Sequence, residues 1–121
     1  MNLKNQNTSP DYDLSDLREL SSGKETFFNE MIQIFISSTN EGVEKMKLEL
    51  NKQNWNSIAE AAHKMLGPVS HIGAHQLRVI LKNLENDIRN HNKINDIAFL
   101  IEKAEKETNR IVKLLENESL K

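Results

Sequence analysis

The chain has no cysteine, and it has few of the residues that interrupt helices. Its 121 residues include two prolines, four glycines and 5% aromatic residues. Without cysteine there is no disulfide, no thiolate zinc site and no thiol nucleophile, and the composition is compatible with a reducing cytosol. The scarcity of proline and glycine is typical of a mostly helical chain, because both residues disfavour helix interiors.

Charge and hydropathy give little support to two kinds of partner. The formal net charge is −2, so no basic field predicts binding to nucleic acid or to an anionic membrane. No apolar run approaches the roughly 18 residues that a membrane span requires, and the polar N-terminus has no signal-peptide core. We therefore expect a cytoplasmic protein with no membrane insertion and no nucleic-acid partner.

The spacing of the apolar residues predicts one all-α domain behind a short arm. Residues 1–11 are rich in Asn, Ser and Thr and are expected to form a flexible arm, whereas residues 12–121 carry helical patterns. A short helix capped by Asp13 or Ser15 and four longer amphipathic helices predict an antiparallel up-down-up-down four-helix bundle with a short N-terminal helix. The positions expected to face the core are Phe28, Ile32, Phe35, Met46, Trp55, Ile58, Met65, Leu77, Leu81, Leu84, Ile97, Ile101, Ala104 and Ile111.

Two interruptions are expected within the long helices. The segment from Ser38 to Glu41 has the spacing of a capping box, which predicts a break or bend in the first long helix. Pro68 has no amide hydrogen and would clash with the carbonyl of Lys64, which predicts that the next helix kinks or stops at Gly67-Pro68. Gly67 would then be a helix C-cap, which is an alternative explanation for this glycine and is also compatible with a functional role.

The second long helix presents one histidine on its polar side. Apolar residues at steps of three and four define its buried stripe, and a second stripe roughly 130° away carries His63. Gly67 lies one turn beyond His63, and glycine in a helix interior costs about 1 kcal/mol relative to alanine. A histidine that another protein must reach needs open space beside it, which would account for this glycine. The second stripe consists of Asn56, Glu60, His63, Gly67 and Ser70.

This region resembles the histidine-containing phosphotransfer domain, the phosphorelay carrier of two-component signalling. The resemblance covers about residues 12–116 and includes the first long helix at 28–35. In that family, a histidine takes a phosphoryl group from a receiver-domain aspartate and passes it to another receiver, so the resemblance implies that His63 is the phosphoacceptor. The resemblance is carried by Tyr12 to Leu17 before the Gly23 turn, Trp55 eight residues before the histidine, His63-x-x-x-Gly67, Ile72-Gly73-Ala74 and Leu77.

The resemblance also implies which chemical groups the carrier and the receiver each supply. The chain is expected to be a carrier without a nucleotide site of its own, hence not an enzyme, and to need no cofactor. The receiver supplies Mg²⁺ and an acidic pocket, and the carrier supplies a neutral imidazole, which is a competent nucleophile near neutral pH. The implied partners are receiver domains of a hybrid sensor kinase, of a response regulator, or of both.

The surface around His63 is expected to be the docking face for those receivers, with help from the neighbouring long helix. The unphosphorylated chain is expected to be a monomer, because its apolar stripes are all used within one bundle. The residues expected on the docking face are Asn56, Ala59, Glu60, Lys64, Leu66, Gly67 and Ser70.

Two positions depart from the family pattern. Leu66 stands where the family commonly has a lysine that neutralises phosphoryl charge, and Pro68 stands where a small polar residue is usual. Lys64 lies about 100° round the helix from His63 and is a poorer substitute, which depends on the length of its side chain to reach the phosphoryl group. These departures keep open an alternative function, a non-phosphorylated adaptor bundle that docks receiver domains.

Other readings of the histidines have less support. In the phosphoacceptor helices of histidine kinases, the histidine is typically followed directly by an acidic residue, whereas Lys64 follows His63 here. His71 and His75 have the spacing to bind a metal on one helix face, but no carboxylate or cysteine completes an obvious set, so no metal site is expected. His91 lies in a predicted polar turn, and His63 is therefore expected to be the only phosphorylated residue.

Overall fold

The computed structural model of the protein describes residues 11–91 and 94–119, and these ranges contain no β-strand. Of the arm expected at residues 1–11, residues 1–10 lie outside the described residues. Helices α2 to α5 form a bundle in which each helix packs on two others, and α1 packs on α2 and α3. The expected all-α bundle is confirmed. The helices are α1 (Ser15–Ser21), α2 (Glu25–Asn51), α3 (Trp55–Ile72), α4 (His75–Arg89) and α5 (Ile97–Ser119), with a 3₁₀ turn at Ile94–Asp96 before α5.

One apolar core runs through the bundle. All the residues expected to face inward are buried except Trp55. Trp55 is only half-buried, because it is the first residue of α3 and follows an exposed turn at the end of the bundle. Burial of a large aliphatic or aromatic side chain contributes roughly 1.5–3 kcal/mol, so the four apolar stripes hold the helices together.

Helix α2 has no break at Ser38–Glu41, so the capping-box prediction is wrong. The helix is continuous over Glu25–Asn51. Thr39 is fully buried, and its hydroxyl donates a hydrogen bond to the carbonyl of Phe35 at 2.8 Å. The hydroxyl is therefore used inside the helix, and Val43 continues the buried stripe one turn further on.

Helix α3 continues through Pro68 to Ile72, so the predicted stop at Gly67-Pro68 is also wrong. Pro68 cannot donate the hydrogen bond that would reach Lys64. Val69 and Ile72 beyond the proline are buried in the core, and their burial offsets the lost hydrogen bond. Gly67 is therefore an interior helical residue and not a C-cap.

The true end of α3 is Gly73, which adopts a left-handed φ of 69°. Its amide donates to the carbonyl of Ser70 at 3.1 Å, and the amide of Asp13 donates to the carbonyl of Ile72 at 3.0 Å. The segment before α1 is thus attached to the turn between α3 and α4. A Cβ atom at Gly73 would lie 2.6 Å from the backbone oxygen of Asp13, so only glycine fits without strain.

We expect Gly73→Ala to lower the free energy of unfolding by about 1–3 kcal/mol, because a left-handed conformation costs an L-residue roughly 1–2 kcal/mol and the new methyl group meets Asp13. Gly67→Ala is the matched control, since its Cβ atom would meet no atom within 4 Å. It should raise the free energy of unfolding by about 0.5–1 kcal/mol. Urea unfolding followed by circular dichroism measures both, and equal effects of the two variants would contradict the role of Gly73.

Candidate functional site

His63 lies near the middle of α3, on the side that faces away from the core. Its side chain is 66% exposed, whereas the neighbouring residues Ala62 and Met65 are buried. Helix α3 packs against α2 on one side and α4 on the other. The imidazole is therefore carried by a helix that is held on both sides and is open to solvent.

A carboxylate from α4 lies beside one of the two ring nitrogens of His63. The Nδ1 atom is 3.1 Å from Oε1 of Glu85 and 3.0 Å from Oε2, and the Glu85 side chain is only 14% exposed. Glu85 directly follows Leu84, which is fully buried in the core. Its position next to a core residue places the carboxylate at the edge of the α3–α4 interface.

Arg89 binds the same carboxylate from the next turn of α4. Its Nε atom donates to Oε2 of Glu85 at 2.9 Å. Burial raises the pKa of Glu85, but the hydrogen bonds from Arg89 and His63 together outweigh it, so the pKa lies below its ordinary value. Glu85 is therefore a carboxylate at neutral pH, and a carboxylate can only accept hydrogen bonds.

The ionised state of Glu85 determines which nitrogen of His63 carries hydrogen. Because Glu85 accepts, Nδ1 of His63 must donate. In the neutral ring only one nitrogen carries hydrogen, so Nε2 has a free lone pair. The geometry thus presents a nucleophilic nitrogen on an exposed side chain, with the opposite ring nitrogen held by the protein.

Most of the residues expected around His63 lie on an accessible surface. Asn56, Glu60, Lys64, Gly67 and Ser70 are exposed, as their spacing predicts.

Two other members of the expected docking face are covered. Ala59 is fully buried, so the expectation that it takes part in an accessible face is wrong; its side chain is used in packing α3 into the bundle. Leu66 is half-buried and packs against the core, so only part of its side chain reaches the surface.

A groove between α2 and α3 lies to one side of the exposed stripe. Its volume is about 430 Å³, and Lys64 and Glu60 of α3 line it together with Lys45 and Glu41 of α2. Two lysines and two glutamates balance in charge. Lys64 is therefore turned toward α2, whereas His63 contacts α4.

A second, smaller hollow has apolar walls. It measures about 260 Å³ and is lined by Met31 and Ile34 of α2 and by Gly67 and Pro68 of α3, among others. Ile34 is one of the large apolar residues that stay exposed. Because a Cβ atom at Gly67 would meet nothing within 4 Å, the space one turn beyond His63 is open toward this hollow.

The other histidines are placed differently. His71 lies in the last turn of α3 and His75 is the first residue of α4, so the two do not share a helix face as their spacing suggested. Within residues 11–91 and 94–119, no group of three or more His, Cys, Asp or Glu side chains is arranged to hold a metal ion. His91 is exposed in the turn after α4.

Glu85 and Arg89 were not predicted as site residues from the sequence. The sequence pattern that could have indicated them is a carboxylate next to a buried stripe, followed by an arginine four residues later. The same spacing occurs at Glu102 and Lys106, which form a solvated pair at 3.2 Å. Local spacing therefore could not separate the pair that contacts His63 from ordinary surface pairs.

Comparisons with known proteins agree with this architecture. Histidine-containing phosphotransfer protein B from Pseudomonas aeruginosa PAO1 is a similar solved structure, with a TM-score of 0.84 and 23% identity over 93% of this chain and 97% of that chain. This likeness shows a shared fold. Curated protein sequences gave no match to the chain. Among the described helices, none has the length and apolar character needed to cross a membrane.

The Hpt domain family matches residues 30–118, a range that includes both His63 and Glu85. The chain therefore belongs to the Hpt domain family, and it is a histidine phosphotransfer carrier that works with receiver domains in phosphorelays.

Proposed function

We propose that His63 is the phosphoacceptor and that its Nε2 atom is the nucleophile. The observation that supports this proposal is the contact of Nδ1 with Glu85, which leaves the lone pair on Nε2 of an exposed ring. A histidine that moved freely would lose much of the positional advantage on which phosphoryl transfer depends.

In the proposed reaction, the lone pair of Nε2 attacks the phosphorus atom of a receiver's aspartyl phosphate. A nitrogen–phosphorus bond forms while the bond between phosphorus and the aspartate oxygen breaks, and its electrons return to the aspartate carboxylate. The imidazole ring gains positive charge and keeps its Nδ1 hydrogen, which remains donated to Glu85. The negative charge of Glu85 stabilises that ring, as opposite charges at this distance favour the charged form. Transfer to a second receiver reverses these steps.

We propose that the receiver docks over the exposed stripe and the apolar hollow beside Gly67. The stripe supplies polar contacts from Asn56, Glu60 and Ser70, and Ile34 of α2 supplies apolar contact area. Gly67 leaves space for the receiver to approach the ring closely. Its replacement by a larger residue would fill that space.

Because position 66 carries no cation, other cations must neutralise the negative charge of the phosphoryl group. Leu66 stands where the family commonly has lysine. We propose that Lys64 of α3 and Arg89 of α4 are the cations that this chain brings to the site, in addition to the Mg²⁺ that the family resemblance assigns to the receiver. Arg89 is held in place by Glu85, whereas Lys64 lines the α2–α3 groove and has to swing its long, exposed side chain back across α3 to reach the phosphoryl group.

A non-phosphorylated adaptor that docks receivers is the second candidate function. Leu66 favours it, because no cation stands three residues after His63. The His63–Glu85 contact favours the carrier, because an adaptor does not need an imidazole with a fixed tautomer. We further propose a cytoplasmic monomer without a nucleotide site of its own.

Replacing His63 tests the acceptor directly. We expect His63→Gln to take up no label from a phosphorylated receiver, because it has no nucleophilic nitrogen, and His91→Gln, in the exposed turn after α4, to be labelled like the unmodified chain. Label on the unmodified chain should be acid-labile and comparatively stable in alkali. Label retained by His63→Gln, or lost in a folded His91→Gln, would contradict the assignment, and an unlabelled but receiver-binding wild-type chain would favour the adaptor.

Replacing Glu85 tests the tautomer. We expect Glu85→Gln to slow phosphoryl uptake by about 10- to 100-fold, because the amide no longer requires hydrogen on Nδ1 and a wrong tautomer is costly in catalysis. Nitrogen-15 NMR of the histidine ring should find hydrogen on Nδ1 in the unmodified chain and a mixture in the variant. Glu102→Gln, which neutralises an exposed carboxylate on α5, is the control. Hydrogen on Nε2 in the unmodified chain would refute this mechanism.

Side-chain size at position 67 tests the need for space. Gly67→Gln should slow transfer by about tenfold or more, because the new side chain lies one turn from the ring and on nearly the same side of α3. Gly67→Ala should have a smaller effect, in proportion to its size. Circular dichroism should give unchanged helix content for both variants. Transfer by Gly67→Gln at the unmodified rate would remove the steric argument.

A further inference from the structure

A row of charged side chains runs along α4 beside His63. Four residues of this helix recur at steps of four, three and four, a spacing that places them on one side of a helix. They are Arg78, Lys82, Glu85 and Arg89. Because Glu85 contacts His63, this side of α4 faces α3. The row therefore includes the groups that contact the candidate site and continues from them along the α3–α4 interface.

A small hollow between the two helices confirms the position of Arg78. Its volume is about 180 Å³, and Arg78 lines it together with Ser70 of α3. Ser70 lies on the exposed stripe that carries His63, seven residues further along α3. Arg78 precedes Glu85 by seven residues, which is about 10 Å along α4 at 1.5 Å per residue. Lys82 lies between them on the same side.

Two of the cations in this row have no carboxylate partner. Arg78 and Lys82 are exposed and form no ion pair with any residue in the described part of the chain. Each of the other three arginines binds a carboxylate. Glu85, the carboxylate within the row, is already bound by Arg89 and by His63. Two positive charges are therefore available next to the candidate site.

The acidic side chains nearest to the row are placed or engaged elsewhere. Glu60 is the acidic residue of α3, and it lines the α2–α3 groove. Asp87 follows Glu85 by two residues, and residues two apart do not share a helix face. Asp13, which contacts the turn before α4, accepts hydrogen bonds from the amide and the hydroxyl of Ser15. The α4 flank of His63 is thus cationic, whereas the α2–α3 groove on its other flank has two lysines and two glutamates.

A receiver domain has the chemistry that this cationic flank would attract. In the proposed reaction, the receiver presents an aspartyl phosphate and is left with an aspartate carboxylate, so its reacting centre is anionic before and after transfer. Complementary charge around a docking site acts mainly on the rate of association. A standard interface covers roughly 800 Å² on each partner, a patch about 30 Å across, so a receiver bound over His63 also covers Lys82 and Arg78.

We propose that Lys82 and Arg78 bind carboxylates that flank the phosphorylation site of the receiver, and that they select receivers with an acidic surface there. This role rests on receiver docking at His63, as proposed above, and adds the α4 side of the docking surface. The hollow beside Gly67 supplies apolar contact on the α2 side, and the row supplies charge on the α4 side. Both residues act on docking and not on the chemical step.

Two matched double variants test this role. Arg78→Gln/Lys82→Gln removes two positive charges from the row, and Lys103→Gln/Lys106→Gln removes two from exposed positions of α5, a helix that packs on α2 and α4. The probe is a receiver domain that binds the unmodified chain. Stopped-flow fluorescence gives its association rate constant at about 0.05 M and about 0.5 M salt, where charges are weakly and strongly screened.

We expect the Arg78→Gln/Lys82→Gln variant to associate about five- to tenfold more slowly at the lower salt concentration, because charges at an interface rim act mainly on association. The difference should shrink at the higher salt concentration. Phosphoryl transfer at saturating receiver should stay within about twofold of the unmodified rate, as should association of the α5 variant. The same slowing in a His63→Gln background, with unphosphorylated receiver, separates docking from the phosphoacceptor assignment.

An exchange of charge identifies the partner groups. A receiver in which a carboxylate beside its phosphorylation site is replaced by lysine should bind Lys82→Glu better than it binds the unmodified chain. Equal slowing of association in both double variants would show an effect of net charge alone and would overturn the proposal. Unchanged association of the Arg78→Gln/Lys82→Gln variant would also overturn it, and lost binding of that variant to phosphatidylserine vesicles would then assign the row to a membrane.

Discussion

The candidate functional site of this molecule depends on one contact, in which Glu85 of α4 lies against the Nδ1 atom of His63. A solvent-exposed histidine alone interconverts between tautomers and ring orientations. A carboxylate at 3.0–3.1 Å, itself bound by Arg89, selects one tautomer and fixes the ring. The other ring nitrogen, which the proposed phosphotransfer uses, is then the one that the protein leaves unbound.

This contact is fixed by the core beneath it. Ala62 and Met65 flank His63 on α3, and Leu84 precedes Glu85 on α4; all three are buried. Because each functional side chain lies beside a core residue, the packing of α3 on α4 sets the distance between the ring and the carboxylate. The turn at Gly73 between the two helices supports the same register. An exposed site thus gains its precision from packing and not from its own burial.

The fold could be predicted largely from the sequence, because each helix repeats its apolar residues with the helical period. The errors came where tertiary packing outweighs a local signal. Thr39 is a capping residue by local spacing but is buried in mid-helix, and Pro68 interrupts hydrogen bonding but not α3, since Val69 beyond it is buried. Ala59 was expected on the surface but is buried. The expectation failed because helical periodicity does not tell which flank of a stripe a neighbouring helix covers.

Only the part of the candidate site that lies on α3 could be predicted from the sequence. His63 and Gly67 share a stripe of α3, so their spacing in the sequence places them together. Glu85 lies 22 residues further along the chain, and nothing local indicates that it meets His63.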